Sequence, residues 1–473
     1  MPHPERITMS RFTDQELLHL SALDQARAIR EGDVSSVYLT HLYLSRIQKY
    51  NDSLHAFVNV QTRQARKAAK KADRLRSQQK SETLPIFHGV PIGIKDLVPT
   101  RWSFTHLGSR AYRYFISPFD APVATRIKAG GFVSLGKLAT SEFGVMPVTE
   151  PDIHPPTRNP WDLNRTSGGS SGGSSTAVAA HLLPIAHGSD GGGSVRIPSA
   201  LTHLYGFKPS LSLLGNLHGE KYNQLGISVM GPLARYVEDA AAMLDVMAGR
   251  PGQDAGPQSC LTAARKMPPS LRIRLLIDTP LGQIDPEILS ATRSFADTLR
   301  SLGHQVDEGS APQIELDEFL PIWQYTVSGV KTVSDRYIQS ITRWVRERGQ
   351  EVTLEHAETR RRQLALRVEK SFADADILMS PTVPCVAPLI GSYSHQASPK
   401  SAFSEAAQLG SLTAGFNLTQ GPAASLPIGL SKTGLPIGLQ IGSYPGKDHL
   451  ILSLSRQIEK VRPWHDRDPT DFI

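Results

Sequence analysis

The residues whose types and spacing suit chemistry lie between Ser167 and Ser194, which read SGGSSGGSSTAVAAHLLPIAHGSDGGGS. Two Gly/Ser clusters flank a run of small and apolar residues, a layout for which a flexible linker has no use. Glycine permits positive φ and lets successive backbone N–H groups converge with no Cβ in the way, which makes a nest for an anion or a developing oxyanion. Upstream, GVPIGIKD at 89–96 places Lys95 and Asp96 at the end of an apolar strand, where open α/β sheets carry ligand-facing groups. Each feature alone has a plainer reading, a surface loop or a solvated lysine. Two clusters together with one lysine point to a site.

The elements that must position these groups follow from periodicity and breakers. Thr13 with Glu16 has capping-box spacing, and Leu17, Leu20, Leu23 and Ala26 repeat with helical period. A second helix follows Asp33. A third, from about Gln61 to Arg76, is dense in Lys and Arg and reads as a solvated face. From Phe87 the grammar changes to short apolar runs broken by Gly and Pro: Val90–Ile94 as a buried strand, Ala121–Ala129 as a helix closed by Gly130, Phe132–Leu135 as the next strand. Residues 238–248 are helical. After the Gly/Pro-rich break at 249–257 come a strand over Leu271–Ile277, a helix near 286–302 and a strand near Val306. Residues 310–375 are mostly helical. The last hundred return to strands at Ser425–Gly429 and Leu435–Ile441 and a terminal helix near 447–462. This alternation predicts an α/β protein of one domain over 1–473: N-terminal helices at about 10–80, a core at about 85–245, a helical insertion or cover at about 250–375, and a return to the sheet at about 376–473.

The motifs resemble the amidase signature family of Ser–Ser–Lys amidohydrolases. The resemblance runs through GKLATSEFGVMPVTEPDIHPPTRNPWDLNRTSGGSSGGS from Gly136 to Ser174, then LLPIAHGSDGGGSVRIPSALTHLYGFKPS and MGPLARYVEDAA. It returns in FNLTQGPAASLPIGLSKTGLPIGLQI near the C-terminus, so most of 85–245 and 375–460 is covered. It implies the amidase signature fold, a large mixed central sheet flanked by helices on both faces. It also implies hydrolysis of a linear amide C–N bond to a carboxylate and ammonia or an amine, with no cofactor and no metal. Position by position, it makes Ser194 the nucleophile, Ser170 the bridging serine held by a cis peptide after Gly169, and Lys95 the general base. The backbone N–H groups of Gly191, Gly192, Gly193 and Ser194 take the place of the oxyanion hole. Ser171 stands as a supporting residue, and Asp190 and Arg196 as a buried ion pair shaping the glycine turn. Many members have Thr where this chain has Gly191; the triple-glycine form occurs in linear-amide and cyclic-amide hydrolases of the family. Oligomeric state is not legible in the sequence, though homodimers are frequent among similar proteins.

The chemistry explains the residue types. Amide hydrolysis needs a strong nucleophile, a stabilised oxyanion and a proton for a poor leaving group. Lysine is a base only when neutral, and its ordinary pKa near 10.4 puts the neutral form about 4 kcal/mol uphill at neutral pH. Burial must lower it.

Competing readings stand beside this one. Gly168, Ser170 and Gly172 satisfy G-x-S-x-G, a nucleophile elbow that would make Ser170 the nucleophile. An elbow follows a buried strand, however, whereas Asn159–Ser167 is polar and carries Pro160. Ser77 and Lys80 match S-x-x-K but end the charged helix. Within the family, the glutaminase subunit of the tRNA-dependent amidotransferase is the alternative; it follows its GGS with IRQPA where this chain has VRIPS at 195–199. A binding module on the same scaffold, without catalysis, is the third. For the substrate pocket, Trp323, Tyr325 and Pro381–Leu389 are candidates that also fit a core role, and Cys385 reads as a pocket or packing residue rather than a nucleophile.

Composition sets outer bounds. With 40% hydrophobic and 20% charged residues over 473, the chain is an ordinary globular protein and not a disordered, collagenous or coiled-coil one. A net charge of +7 from 51 basic and 44 acidic side chains is mild, which argues against nucleic acid as a partner. Two cysteines make no disulfide framework and suggest a reducing, cytoplasmic setting. Met1 to Asp14 has no apolar core for a signal peptide, and the longest uncharged stretches are too rich in Gly, Ser and Pro to span a membrane. The expected partner is a small-molecule amide.

Overall fold

The computed structural model describes residues 10–472 apart from 218, 220–222, 254–255, 333 and 395–397. Its strands in chain order are β1 (Phe57–Val60), β2 (Pro91–Lys95), β3 (Val133–Leu138), β4 (Arg158–Asn159), β5 (Asp162–Thr166), β6 (Ile185–Asp190), β7 (Tyr205–Lys208) and β8 (Val229–Ala234). They continue as β9 (Arg272–Leu276), β10 (Gln305–Gly309), β11 (Ile377–Pro381), β12 (Ala423–Leu430) and β13 (Pro436–Gly442). Eleven of them form one mixed sheet in the order β1-β3-β2-β6-β8-β7-β12-β13-β11-β9-β10, and β4 and β5 form a separate hairpin. The strands β3, β2 and β6 run parallel at one side and β11, β9 and β10 at the other, with antiparallel pairs between.

The helices around this sheet follow the sequence signals closely, with local exceptions. Thr13 and Glu16 do form a capping box, but the helix it opens ends at His19. Ser21 then takes the N–H of Asp24 and starts a second helix, Ala22–Glu31, so the apolar repeat continues across a break. The charged helix Thr62–Gln78 buries only Ala65, Ala69 and Ala72, one small-residue stripe at i, i+4 and i+7, and leaves its Lys and Arg side chains to solvent. Gly130 caps Pro122–Ala129 in the right-handed region, and the left-handed turn falls one residue later at Gly131. The polar segment before the first Gly/Ser cluster is a strand after all, but it belongs to the outlying β4–β5 hairpin and not to the buried sheet.

Residues 250–375 are not purely helical. The strands β9 and β10 add a parallel edge to the sheet beside β11. Leu316–Ser328, Ser340–Gly349 and Leu354–Ser371 then build a separate apolar cluster with Val145–Val148 and Ile197–Leu201. The main core lies under the N-terminal helices and the central strands. Among the described residues no helix is long and apolar enough to cross a membrane.

Candidate active site

Neighbouring parallel strands bring the site together. Gly93 and Ile94 of β2 pair with Ala186 and His187 of β6, so Lys95 at the end of β2 lies beside Ser189 and Asp190 at the end of β6. The helix Gly172–Ala179 is made only of small residues and is buried along its whole length. A Cβ on Gly173 would stand 2.3 Å from the amide nitrogen of Ala139, so the helix approaches the β3 end only because that position is glycine. Ser170 and Ser171 sit at the start of this helix, and the Gly169–Ser170 peptide is cis.

Lys95 is completely buried. Its Nζ lies 2.7 Å from Ser170 Oγ, 2.8 Å from Ser171 Oγ and 3.1 Å from Ser189 Oγ, donating to these hydroxyls as the ammonium. Burial lowers its pKa to about 7, against the opposing pull of the Asp190 carboxylate. In the neutral amine the shortest contact runs the other way, with the Ser170 hydroxyl donating. Ser171 ties the two strand ends further, since its N–H donates to the Ser194 carbonyl at 3.2 Å and its hydroxyl to the Ser189 carbonyl at 3.2 Å. Asp96, read from sequence as ligand-facing, is turned away. It accepts the His106 N–H at 2.9 Å and pairs with the buried Lys137 at 2.8 Å, a role for β3 that no motif signalled.

The glycine turn between β6 and the helix Arg196–Leu201 is shaped by a buried ion pair. Arg196 donates Nε to Asp190 Oδ2 at 3.0 Å and Nη2 to Asp190 Oδ1 at 2.9 Å. The remaining guanidinium donors go to the Thr413 carbonyl, Gln440 Oε1 and Asn417 Oδ1 at 2.7–2.8 Å. Burial alone would raise the Asp190 pKa; the Arg196 charge overrides it and holds the carboxyl well below its ordinary value. The carboxylate also accepts the N–H groups of Gly193 at 2.8 Å and Val195 at 3.1 Å. This corrects the set of four oxyanion donors: the Gly193 N–H is already committed to Asp190. Gly191, Gly192 and Ser194 keep N–H groups with no partner among the described residues. Gly193 itself has φ of +130°, and a Cβ there would meet Thr413 Oγ1 at 2.2 Å.

Ser194 and Gly192 face an apolar cavity that opens to solvent. Val145 and Met146 line it on one side, Phe319 and Trp323 on another, and Phe403 and Phe416 complete much of the wall. Trp323 also covers the glycine turn, 3.3 Å from where a Gly191 Cβ would be. Of the sequence candidates, Trp323 is on the cavity wall. Tyr325, Cys385 and Pro381–Leu389 are not; the Cys385 thiol packs against the second apolar cluster, and burial pushes it up to about 11. Among the described residues no hydrogen bond joins the Ser194 and Ser170 hydroxyls. Thr413, Asn417, Gln440 and Ser189 were missed as site residues. The first three lie in or near segments that carry the resemblance, but nothing in their spacing links them to a turn more than 200 residues earlier.

A buried lysine on three serine hydroxyls, beside a turn of free N–H groups at the mouth of a cavity, is a site built for acyl transfer. The chain belongs to the Amidase family, whose profile matches residues 38–452. It is accordingly an enzyme acting on amide C–N bonds. A 6-aminohexanoate-cyclic-dimer hydrolase of Paenarthrobacter ureafaciens is 34% identical, with 95% of this chain and 96% of the relative covered. An acylamidase of Rhodococcus erythropolis is 31% identical over 98% of this chain and 99% of the relative. The solved structure of a 6-aminohexanoate cyclic dimer hydrolase with its substrate shares a TM-score of 0.85 at 30% identity, covering 96% of this chain and 100% of that one.

Proposed function

We propose that the enzyme hydrolyses small amides with an apolar acyl group through an acyl-Ser194 intermediate, with Lys95 as base and Ser170 as the proton bridge. The observation that carries this is the 2.7 Å contact between Ser170 and a fully buried lysine whose pKa falls to about 7. Neutral Lys95 draws the Ser170 proton, Ser170 takes that of Ser194, and Ser194 attacks the carbonyl carbon. The N–H groups of Gly191, Gly192 and Ser194 meet the oxyanion, each donor being worth roughly 2.7–4 kcal/mol. Ser170 then protonates the leaving nitrogen, and water reverses the relay. No metal or cofactor takes part. The whole chain acts as one catalytic domain, with 250–375 as its cover, in a cytoplasmic setting and as a homodimer.

The pH profile tests the base. Only the neutral amine accepts a proton, so kcat/KM rises with pH and levels off above an apparent pKa near 7. Below pH 6 it falls about tenfold per unit. A solvated lysine would keep the rate climbing to about pH 10. A rise that continues to that pH, or a profile unchanged in Lys95→Ala, overturns the assignment.

The cavity tests the substrate class. Its lining is aliphatic and aromatic apart from a few polar atoms and Glu315, so each methylene moved from water into it contributes about 0.8 kcal/mol, or about fourfold in kcat/KM. Primary amides of straight-chain acids therefore improve stepwise with chain length until the cavity is filled, and Trp323→Ala moves the optimum to longer chains. A flat series, or a preference for charged acyl groups, would remove the cavity from the reading.

A further inference from the structure

Away from the catalytic centre, His19, His181 and Asp468 gather from three distant parts of the chain. His19 ends the helix Asp14–His19, His181 follows the helix Gly172–Ala179 and Asp468 lies in the tail beyond Asp448–Val461. His19 Nε2 stands 3.0 Å from one carboxylate oxygen of Asp468, and His181 Nε2 stands 2.7 Å from the other. One ligand atom from each residue can be chosen so that all lie within 4.8 Å of one another. We infer that these three side chains form a divalent-metal site, of the kind zinc takes, that fastens both ends of the chain to the core.

The proton positions carry the argument. His19 Nδ1 lies 2.8 Å from the Gln15 carbonyl and His181 Nδ1 lies 3.1 Å from the Leu18 carbonyl. A carbonyl oxygen only accepts, so each Nδ1 carries the hydrogen, and a neutral ring then presents a lone pair at Nε2. With both rings neutral, two lone pairs face a carboxylate, which also only accepts. One proton relieves one of these contacts. A single metal ion relieves both, and Nδ1–H on a backbone carbonyl is the outer arrangement that ligating histidines adopt. His181 itself holds a φ of +52°, a region disfavoured for a residue with a Cβ.

Two imidazoles and one carboxylate suit zinc; magnesium and calcium take oxygen sets. Tetrahedral zinc at about 2.0–2.1 Å separates its ligands by about 3.3 Å, so the two short nitrogen–oxygen contacts open by a few tenths of an ångström and any wider pair within the 4.8 Å bound closes to admit it. The fourth position falls toward His19, the most exposed of the three, and goes to water. Arg235 donates to the same Leu18 carbonyl as His181, and its positive charge at that ring edge opposes a cation in the site.

The test uses the full chain, stripped with chelator and titrated with Zn²⁺ in a calorimeter at pH 7.5. One ion per chain is expected, and at a hundredfold excess over Kd the thermal midpoint rises by about 3 °C. His19→Ala and Asp468→Asn each weaken uptake at least tenfold; His41→Ala, on another exposed histidine, binds as the parent does, and Mg²⁺ gives no shift. His19 is exposed enough for its replacement to leave the fold intact, which far-ultraviolet circular dichroism checks. Absence of saturable one-to-one uptake, or uptake that survives both His19→Ala and Asp468→Asn, overturns the site.

Discussion

Ser194→Ala is expected to lower kcat by about 10⁴ to 10⁶-fold, the range found when one member of a coupled hydrolytic set is removed. Ser194 is the hydroxyl that combines the glycine turn with an opening to the apolar cavity, and it is 7% exposed where Ser170 is 2%. KM moves little, because the apolar cavity is untouched. An organophosphonate probe identifies the attacking oxygen directly. Both serines fall in one tryptic peptide, residues 166–196, so the adduct must be placed by fragmentation. The expected position is Ser194, with no adduct on Ser194→Ala. An adduct on Ser170 would restore the elbow reading and sink this one.

Arg196→Met is the substitution with the largest expected cost to stability, about 3–5 kcal/mol, because it leaves Asp190 charged and buried without its partner. For a chain of this length that is a fall of about 4 °C in the midpoint of unfolding. Activity falls as well, since the same carboxylate holds the N–H groups of Gly193 and Val195. Arg196→Lys does not rescue, because an ammonium cannot reach Asp190, Thr413, Gln440 and Asn417 at once. Pairing Arg196→Met with Asp190→Asn recovers part of the loss, and the double-mutant cycle gives the coupling. A cost below about 1 kcal/mol for Arg196→Met would mean that Asp190 has found another partner.

Much of the architecture was legible because apolar runs and breakers alternate cleanly. The strand bearing Lys95 and the helices at Pro122–Ala129, Pro286–Ser301 and Asp448–Val461 sit within a residue or two of their expected ends. What was missed has local causes. The strand β1 is four residues directly after a helix, with no turn signal beside it. The strand β5 is polar because its hairpin is only half-buried. Asp96 looked ligand-facing because alternation along a strand says nothing about a partner such as Lys137 one strand away. The commitment of the Gly193 N–H to Asp190 depends on how the turn curls, and backbone direction inside a glycine run has no sequence signature. His19, His181 and Asp468 are 162 and 287 residues apart along the chain, far beyond any metal-ligand spacing.

The proposed reacting groups come from residues 95–194, while most of the wall around the apolar cavity comes from residues 276–418. Chemistry and selectivity are therefore written in different stretches of the chain and can be edited separately. A chimera that exchanges Leu316–Ser328 and Pro399–Ala407 for the matching helices of a relative should inherit the donor's taste in acyl groups while retaining its own relay. Divergence within such a lineage can then proceed by trading covers over an unchanged engine.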